Sequence, residues 1–245
     1  MALSGFSLRH IQVSHILQNK IALITGATGG LGTAVTQAFL DSGATVIGVS
    51  RNLQQSAFKS GSFLGIPAEL SDPLAVNKLI QQVIDKFGRI DALAHLVGGF
   101  AGGQAVFETD DPTFESMMST NLTSAFYVLR AVIPHMRQAG SGRIIAIASR
   151  AAENPGPLVG AYSASKAALV SLIRTVALEN KDRGITANAI LPGTIDTTAN
   201  RKAMPQADTR TWVQPASIAS LMIWLASAAG QDVTGTAIPV YGAGL

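Results

Sequence analysis

Three polar residues of the sequence, Ser149, Tyr162 and Lys166, have types and spacings that suit proton transfer. The run from Gly160 predicts a helix, and residues four apart on a helix share one face, so the Tyr162 phenol and the Lys166 ammonium should be neighbours. A free tyrosine has a pKa of about 10, and a positive charge about 4 Å away would lower it by roughly three units. We therefore expect Tyr162 to act as an acid or base whose pKa is lowered by Lys166.

Short apolar or β-branched runs alternate with helical patterns along the chain. The runs predict seven strands, at 20–25, 44–49, 63–66, 90–97, 143–148, 185–191 and 236–241. The patterns predict helices at 31–42, 73–87, 113–138, 160–181 and 215–228. This alternation predicts an α/β fold, a doubly wound (Rossmann-type) domain with about seven parallel strands and helices on both faces. We expect one domain over 20–245, preceded by an N-terminal arm over 1–19, for which an organelle presequence is the alternative.

A glycine-rich turn joins the first predicted strand to the first predicted helix. Its glycines, Gly26, Gly30 and Gly32, follow the spacing Gly-x-x-x-Gly-x-Gly. Glycine permits a tight turn and lets backbone amides approach a pyrophosphate, while the following helix presents its N-terminus to the negative charge. The motif predicts a dinucleotide site, and a purely structural turn is the alternative.

The end of the second predicted strand indicates which dinucleotide is preferred. An acidic residue at this point binds the 2′-hydroxyl of NAD, whereas an arginine accommodates the 2′-phosphate of NADP. The sequence has Arg51 there, between Ser50 and Asn52, and no acid. Because a guanidinium is well suited to bind phosphate, we expect NADP(H) to be preferred, with NAD(H) as a second possibility. A solvated loop arginine is the alternative.

Composition excludes several classes of protein. The net charge of +3 is spread along the 245 residues without a basic cluster, so we expect no nucleic-acid partner. The absence of cysteine excludes disulfides and thiolate chemistry, and the scattered histidines have no metal-ligand spacing. No apolar run is long enough to span a bilayer, so we expect a soluble, cytoplasmic protein without a membrane partner. Hydrophobic residues make up 47% of the chain, which favours a homo-oligomer.

These motifs together resemble the short-chain dehydrogenases and reductases. The resemblance covers nearly the whole chain from Lys20 and rests on five features: the glycine turn at 25–32, Asn121, Ser149, the Tyr162 and Lys166 pair, and the segment PGTIDT at 192–197. It implies hydride transfer between a nicotinamide and a carbonyl or alcohol carbon of a small molecule. Tyr162 would transfer the proton, Ser149 would polarise the substrate oxygen, Lys166 would hold the nicotinamide ribose, and Asn121 would anchor a water in the proton relay.

The same resemblance implies further cofactor contacts, and the sequence departs from the family at two of them. The additional contacts are Thr28, Leu31, Glu69, Leu70, Gly98, Pro192, Gly193, Thr194, Ile195 and Thr197. Glu69 stands where the family usually has aspartate. His95, Leu96, Val97 and Gly98 replace the usual Asn-Asn-Ala-Gly. We expect a structural role for His95, with titration near the site as the alternative.

Two segments narrow the resemblance toward dihydropteridine reductase. They are 97–104 and 191–212, and the second lies where this fold has a substrate lid, which we expect at about 198–214. Pterin reduction is therefore an alternative, although Arg51 and Ser149 favour reduction of a ketone or aldehyde. A catalytically silent NADP-binding regulator is an alternative of another class. By resemblance, the helices at 113–138 and 160–181 would pair across a twofold axis in a homodimer or homotetramer.

Overall fold

The predicted strands form one parallel sheet. In the computed structural model, which describes residues 15–243, they are β1 Ile21–Thr25, β2 Thr45–Ser50, β3 Phe63–Pro67, β4 Ala92–His95, β5 Gly142–Ile147, β6 Ile185–Pro192 and β7 Ala237–Val240. Their order is β3-β2-β1-β4-β5-β6-β7, and every neighbouring pair is parallel. The strand order reverses between β1 and β4, which is the topological switch point where ligands bind in such sheets.

Helices cover both faces of the sheet. They are α1 Gly30–Asp41, α2 Pro73–Phe87, α3 Asp111–Met118, α4 Ser124–Ala139, α5 Gly160–Asn180, α6 Thr198–Ala203 and α7 Pro215–Ala226. Since side chains alternate across a strand, Leu23 of β1 enters a core with α2, α4 and α5. Ile24 enters the opposite core with α1 and α7. The prediction of a single doubly wound α/β domain is confirmed.

The predicted helix at 113–138 is present, but a π-helical turn interrupts its α-helical hydrogen bonding. α3 ends at Met118, a π-helical turn follows over Ser119–Thr123, and only then does α4 begin. A π turn inserts an extra residue and is frequent at functional sites. Asn121 lies in this turn and is fully buried, so the interruption brings an amide side chain into the interior.

The predicted N-terminal arm falls largely outside the described residues. Residues 15–19 form a turn in which Leu17 is buried and its backbone N–H donates to the Ser42 carbonyl. The arm's extent therefore stays a prediction. Within residues 15–243, the helices are all too short or too polar to cross a membrane.

Candidate active site

Ser149, Tyr162 and Lys166 lie beyond the carboxyl end of β5. Ser149 follows the strand and caps a short 3-10 turn, because its oxygen accepts the backbone N–H of Ala151 at 3.2 Å. Tyr162 and Lys166 lie in the first two turns of α5, one helical turn apart as predicted. Ser149 is 9% exposed and Lys166 4% exposed, and Tyr162 is half-buried.

The pKa of Tyr162 is set by burial and by Ser149. Burial raises the pKa above its ordinary value, and a hydrogen bond from the Ser149 side chain lowers it. The net shift is upward, so the lowering of this pKa expected from Lys166 does not outweigh burial. The Lys166 Nζ donates to the Ile147 carbonyl at 3.0 Å.

Burial lowers the pKa of Lys166 to about 8. The Lys166 ammonium packs against the loop after β4 at Gly98, where the lack of a side chain leaves room for it. A Cβ atom at Gly98 would lie 2.9 Å from Lys166 Nζ and 3.0 Å from Asn121 Oδ1. Glycine at this position therefore allows Lys166 and Asn121 to converge on the same stretch of backbone.

Asn121 uses its amide to join three elements. Its Oδ1 accepts the N–H of Gly99 at 2.9 Å, and its Nδ2 donates to the Gly99 carbonyl at 3.1 Å and to Ser165 Oγ at 3.0 Å. The π turn, the loop after β4 and α5 are held together by this one side chain. Its predicted role of anchoring a relay water stays a prediction.

His95 lies at the end of β4 and links it to β1. Its Nδ1 is 3.0 Å from Thr25 Oγ1, and the residue is 1% exposed. Burial, and then the charge of Lys166, lower the pKa of His95 to about 3, so the ring is neutral near pH 7. Nε2 is buried and has no partner within residues 15–243. The link between strands supports the structural role expected for His95.

A cleft of about 520 Å³ opens at the switch point. It brings together eight of the predicted cofactor residues: Gly26, Thr28, Ser50, Arg51, Asn52, Glu69, Leu70 and Gly98. It is also lined by Gly29, Ala68, Ser71, Leu96, Val97, Ser119, Thr120 and Ser124. The cleft thus follows the sheet edge from the end of β2 past β1 to the loop after β4.

The glycine turn is shaped by close backbone contacts. Gly26 has a φ of +72°, and a Cβ atom there would lie 3.2 Å from the backbone of Leu96 and Val97. Gly32 lies directly against the Gly26 carbonyl, with no room for a side chain. Gly32 and the buried Leu31 do not line the cleft and support the turn from behind. The N-cap of α1, Gly29, makes no side-chain cap, so no side chain of the N-cap occupies the first helical amides.

The far end of the cleft carries one cation and one anion. Glu69 accepts the backbone N–H of Ser71 at 3.2 Å and its hydroxyl at 2.9 Å. These hydrogen bonds, and to a smaller extent the charge of Arg51, lower the pKa of Glu69. Ser50 Oγ accepts the Thr28 N–H at 3.3 Å and donates to the Val49 carbonyl at 2.8 Å. Arg51 and Asn52 are exposed.

The predicted nicotinamide residues lie outside the lining of this cleft. Gly193, which follows Pro192 at the end of β6, packs against the Tyr241 backbone. Ile195 pairs with Val213. Thr197 caps α6 and reaches the glycine turn, since a Cβ atom at Gly30 would lie 2.9 Å from its side chain. Of this group, Thr197 is the residue that meets the start of α1.

The predicted lid at 198–214 is a loop whose ends are joined. It contains α6 and a 3-10 turn at Thr209–Thr211. The N–H of Val213 donates to the Thr194 carbonyl, and the N–H of Asp196 donates to the Val213 carbonyl. Arg201 makes two bonds to Asp196, at 2.6 and 2.8 Å. The segment is therefore anchored beside the glycine turn, and its action as a lid stays a prediction.

Two contact residues were not predicted from the sequence. The ring of Phe100 lies 5.0 Å from that of Tyr162, and Ser165 accepts the Asn121 amide. The sequence gives a weak indication of a site role for Ser165, because it lies on α5 one residue before Lys166. Phe100 stands between glycines in a loop, where no periodicity indicates its direction.

The chemistry available to the site is that of oxygen and nitrogen groups. Within residues 15–243, no three metal-ligating side chains come together. A phenol whose pKa is lowered by a neighbouring hydroxyl, on the same helix face as a buried ammonium, can transfer a proton to or from an oxygen.

Comparison with known proteins matches nearly the whole chain. Residues 20–208 match the family model described as short chain dehydrogenase. D-beta-hydroxybutyrate dehydrogenase of Rhizobium meliloti is 31% identical over 255 residues, covering 91% of this chain and 97% of that protein. The solved structure described as ElxO with NADP bound superposes with a TM-score of 0.87 at 25% identity, covering 92% of this chain and 98% of the other. A 3-ketoacyl-(acyl-carrier-protein) reductase from Brucella melitensis complexed with NADH gives 0.83 at 25% identity, covering 93% and 98%.

Proposed function

Because the chain belongs to the short-chain dehydrogenase family, we propose that it transfers a hydride between NADP(H) and a carbonyl or secondary alcohol. Membership makes it an oxidoreductase that uses a nicotinamide cofactor. The preference for NADP(H) over NAD(H) and the carbonyl or secondary alcohol substrate are proposals. One arrangement carries the proposal: Tyr162 and the buried Lys166 lie one turn apart on α5 at the carboxyl edge of the sheet, and Ser149 lowers the pKa of the Tyr162 phenol.

The cleft fits a dinucleotide. Its glycine turn leaves backbone amides at the start of α1 open to a pyrophosphate. Arg51, exposed at the far end, would hold the 2′-phosphate with Ser50 and Asn52, and Glu69 with Leu70 would face the adenine. Thr197, beside Gly30, would hold the nicotinamide end with Ile195. When bound, the cofactor supplies or accepts the hydride.

Tyr162 would exchange the proton with the substrate oxygen. Burial raises the pKa of its phenol, so the proton remains on Tyr162 at neutral pH and is available to a carbonyl. Ser149 would direct that transfer. Its oxygen accepts the Ala151 N–H, and its one hydroxyl hydrogen would turn from Tyr162 to the substrate oxygen when substrate binds and stabilise charge as it develops there.

Lys166 would hold the positive charge next to this proton donor. With a pKa of about 8, most of the Lys166 population is protonated at pH 7. One of its three donors is used by the Ile147 carbonyl, and the others remain for the nicotinamide ribose. Asn121 and Gly98 would keep the ammonium in place.

The experiment is a reductase assay with purified protein. NADPH and, separately, NADH are mixed with a panel of ketones, aldehydes, quinones and a quinonoid dihydropterin, and cofactor oxidation is followed by absorbance. We expect turnover of a carbonyl compound with a lower KM for NADPH than for NADH. Tight NADPH binding without turnover of any member would instead support the silent regulator.

Pterin reduction is the second candidate. The observation that favours it is the segment 97–104, which resembles that of dihydropteridine reductase and reaches the active site through Phe100. The complete set of Ser149, Tyr162 and Lys166 supports carbonyl reduction. A strong preference for the quinonoid dihydropterin in the same panel would reverse this order.

We also propose that the enzyme works as a homodimer or homotetramer through α4 and α5. Phe126 of α4 is 43% exposed and Leu178 of α5 is 70% exposed, which is unfavourable for large apolar side chains on a monomer surface. Size-exclusion chromatography with light scattering tests this. Cytoplasmic location remains a prediction.

A further inference from the structure

The ring of Phe100 has a position that the proposed mechanism does not use. It contacts the Tyr162 ring nearly edge to face, with centroids 5.0 Å apart and planes at 72°. Phe100 is nevertheless 68% exposed. An aromatic side chain beside a proton donor is thus left with most of its surface in solvent, where it is available to a ligand.

The loop that carries Phe100 is fixed on the loop before α5. The N–H of Gly103 donates to the Leu158 carbonyl at 2.8 Å. A Cβ atom at Gly102 would lie 2.9 Å from Phe100 Cζ and 3.0 Å from Val159. Leu158 itself has a φ of +63°, a conformation that costs free energy for a residue other than glycine. These contacts between the two loops fix the Phe100 ring beside the Tyr162 ring.

The space between these loops is small and uncharged. A cavity of about 200 Å³ is lined by Ala101, Gly102, Gln104, Thr109, Thr113, Leu158, Gly160 and Ala161. For scale, an apolar cavity of about 150 Å³ accepts benzene. None of the lining residues carries a charge, so this wall offers no ion pair to a carboxylate or phosphate on the substrate.

From these contacts we propose that Phe100 is a specificity-determining residue that selects flat cyclic carbonyl substrates. This inference rests on the proposed function. The exposed Phe100 ring packs against the ring that bears the reacting carbonyl, while Tyr162 and Ser149 reach the carbonyl oxygen. An open-chain ketone offers no flat face and gains little from this contact. The preferred substrate is therefore an uncharged ring ketone or quinone.

The test compares two probes on four proteins. The probes are α-tetralone, a flat ring ketone, and ethyl acetoacetate, an open-chain ketone, each with saturating NADPH. For Phe100→Leu we expect kcat/KM on α-tetralone to fall about tenfold, as expected for loss of an aromatic contact, and on ethyl acetoacetate by less than about twofold. Phe100→Tyr keeps the flat face and should restore α-tetralone turnover. Phe107→Leu is the matched control, since Phe107 is 89% exposed in the adjacent turn, and should change neither.

An equal loss on both probes would overturn the inference, because Phe100 would then only hold Tyr162 in position. So would unchanged values on both. Calorimetry of α-tetralone binding to the complex of the protein with NADP⁺ separates this inference from the proposed function. If the wild type turns over neither probe, the proposed function is overturned. If α-tetralone then still binds more weakly to Phe100→Leu than to the wild type, the contact between Phe100 and the ligand ring is supported.

Discussion

The two ends of the proposed cofactor region differ in burial. One end, at Ser149 and Lys166, is the proton-transfer end, and the other, at Arg51 and Asn52, is the adenosine end. At the proton-transfer end, Ser149 and Lys166 are buried and each is hydrogen-bonded to the backbone, at Ala151 and Ile147 respectively. At the adenosine end, Arg51 and Asn52 are exposed and the cleft between them and the glycine turn is open. One end is organised before any ligand arrives, whereas the other depends on the ligand for its contacts.

This difference explains where pKa values are shifted. Burial moves the pKa of Lys166 to about 8 and of His95 to about 3, and raises that of Tyr162. At the adenosine end, Glu69 owes its lowered pKa mainly to the hydrogen bonds from Ser71. Substitutions at the first end should therefore affect chemistry, and substitutions at the second should affect binding.

The largest effect that separates the two ends is expected for Tyr162→Phe. Removing the hydroxyl removes the proton donor, so kcat for carbonyl reduction should fall by about 10³-fold or more, while the Kd for NADPH changes by less than about twofold. Stopped-flow turnover and fluorescence titration measure the two quantities. Tyr127→Phe on α4 is the control and should retain activity. A variant at position 162 that keeps its rate would show that the proton comes from another group.

Arg51→Asp should produce the converse result at the adenosine end. Loss of a charge-assisted pair, together with repulsion between the new carboxylate and the 2′-phosphate, should raise the Kd for NADPH about 100-fold. The Kd for NADH should change by less than about threefold, and kcat at saturating cofactor should be nearly unchanged. Arg51→Lys keeps the charge without the planar fork, so its effect should be intermediate. Equal weakening of NADPH and NADH would mean that Arg51 does not bind the phosphate.

Some features of both ends can be predicted from the sequence. Tyr162 and Lys166 are brought together by helical periodicity alone, and the Gly26 turn by its place between a strand and a helix, so both positions follow from local rules. The sheet follows from the alternation of strands and helices. These features need no knowledge of distant contacts.

Other features depend on contacts between segments far apart in the chain. The Lys166 ammonium donates to the Ile147 carbonyl 19 residues away, and the net upward shift of the Tyr162 pKa comes from burial, which proximity to Lys166 did not predict. The π turn around Asn121 is stabilised by bonds to Gly99 and Ser165, and nothing in the helical pattern of 113–138 reveals it. Phe100 lies in a loop whose direction depends on Leu158.

His95 allows a smaller and more selective test of burial at the proton-transfer end. The folded-state pKa of about 3 lies below the ordinary value of 6.5, so between these values the unfolded chain binds a proton that the folded protein does not. Stability supplied by this difference is present above about pH 6.5 and is lost as the pH falls toward 3. Between pH 7 and pH 5 the wild type should lose ~2 kcal/mol of unfolding free energy through His95.

His95→Asn should remove this part of the acid sensitivity, because asparagine does not titrate. The measurement is urea unfolding of both proteins at pH 7 and pH 5. For each protein the change in unfolding free energy between the two pH values is calculated, and the two changes are compared. This comparison does not depend on the absolute stability of the variant. Lys166→Met provides a second arm, measured down to pH 3: Lys166 lowers the pKa of His95, so its removal should raise the folded-state pKa, and the loss of stability should still begin near pH 6.5 but end at a higher pH and be smaller in total. If wild type and His95→Asn lose stability in parallel, His95 is solvated or already charged in the folded protein. Burial would then not govern this end of the site.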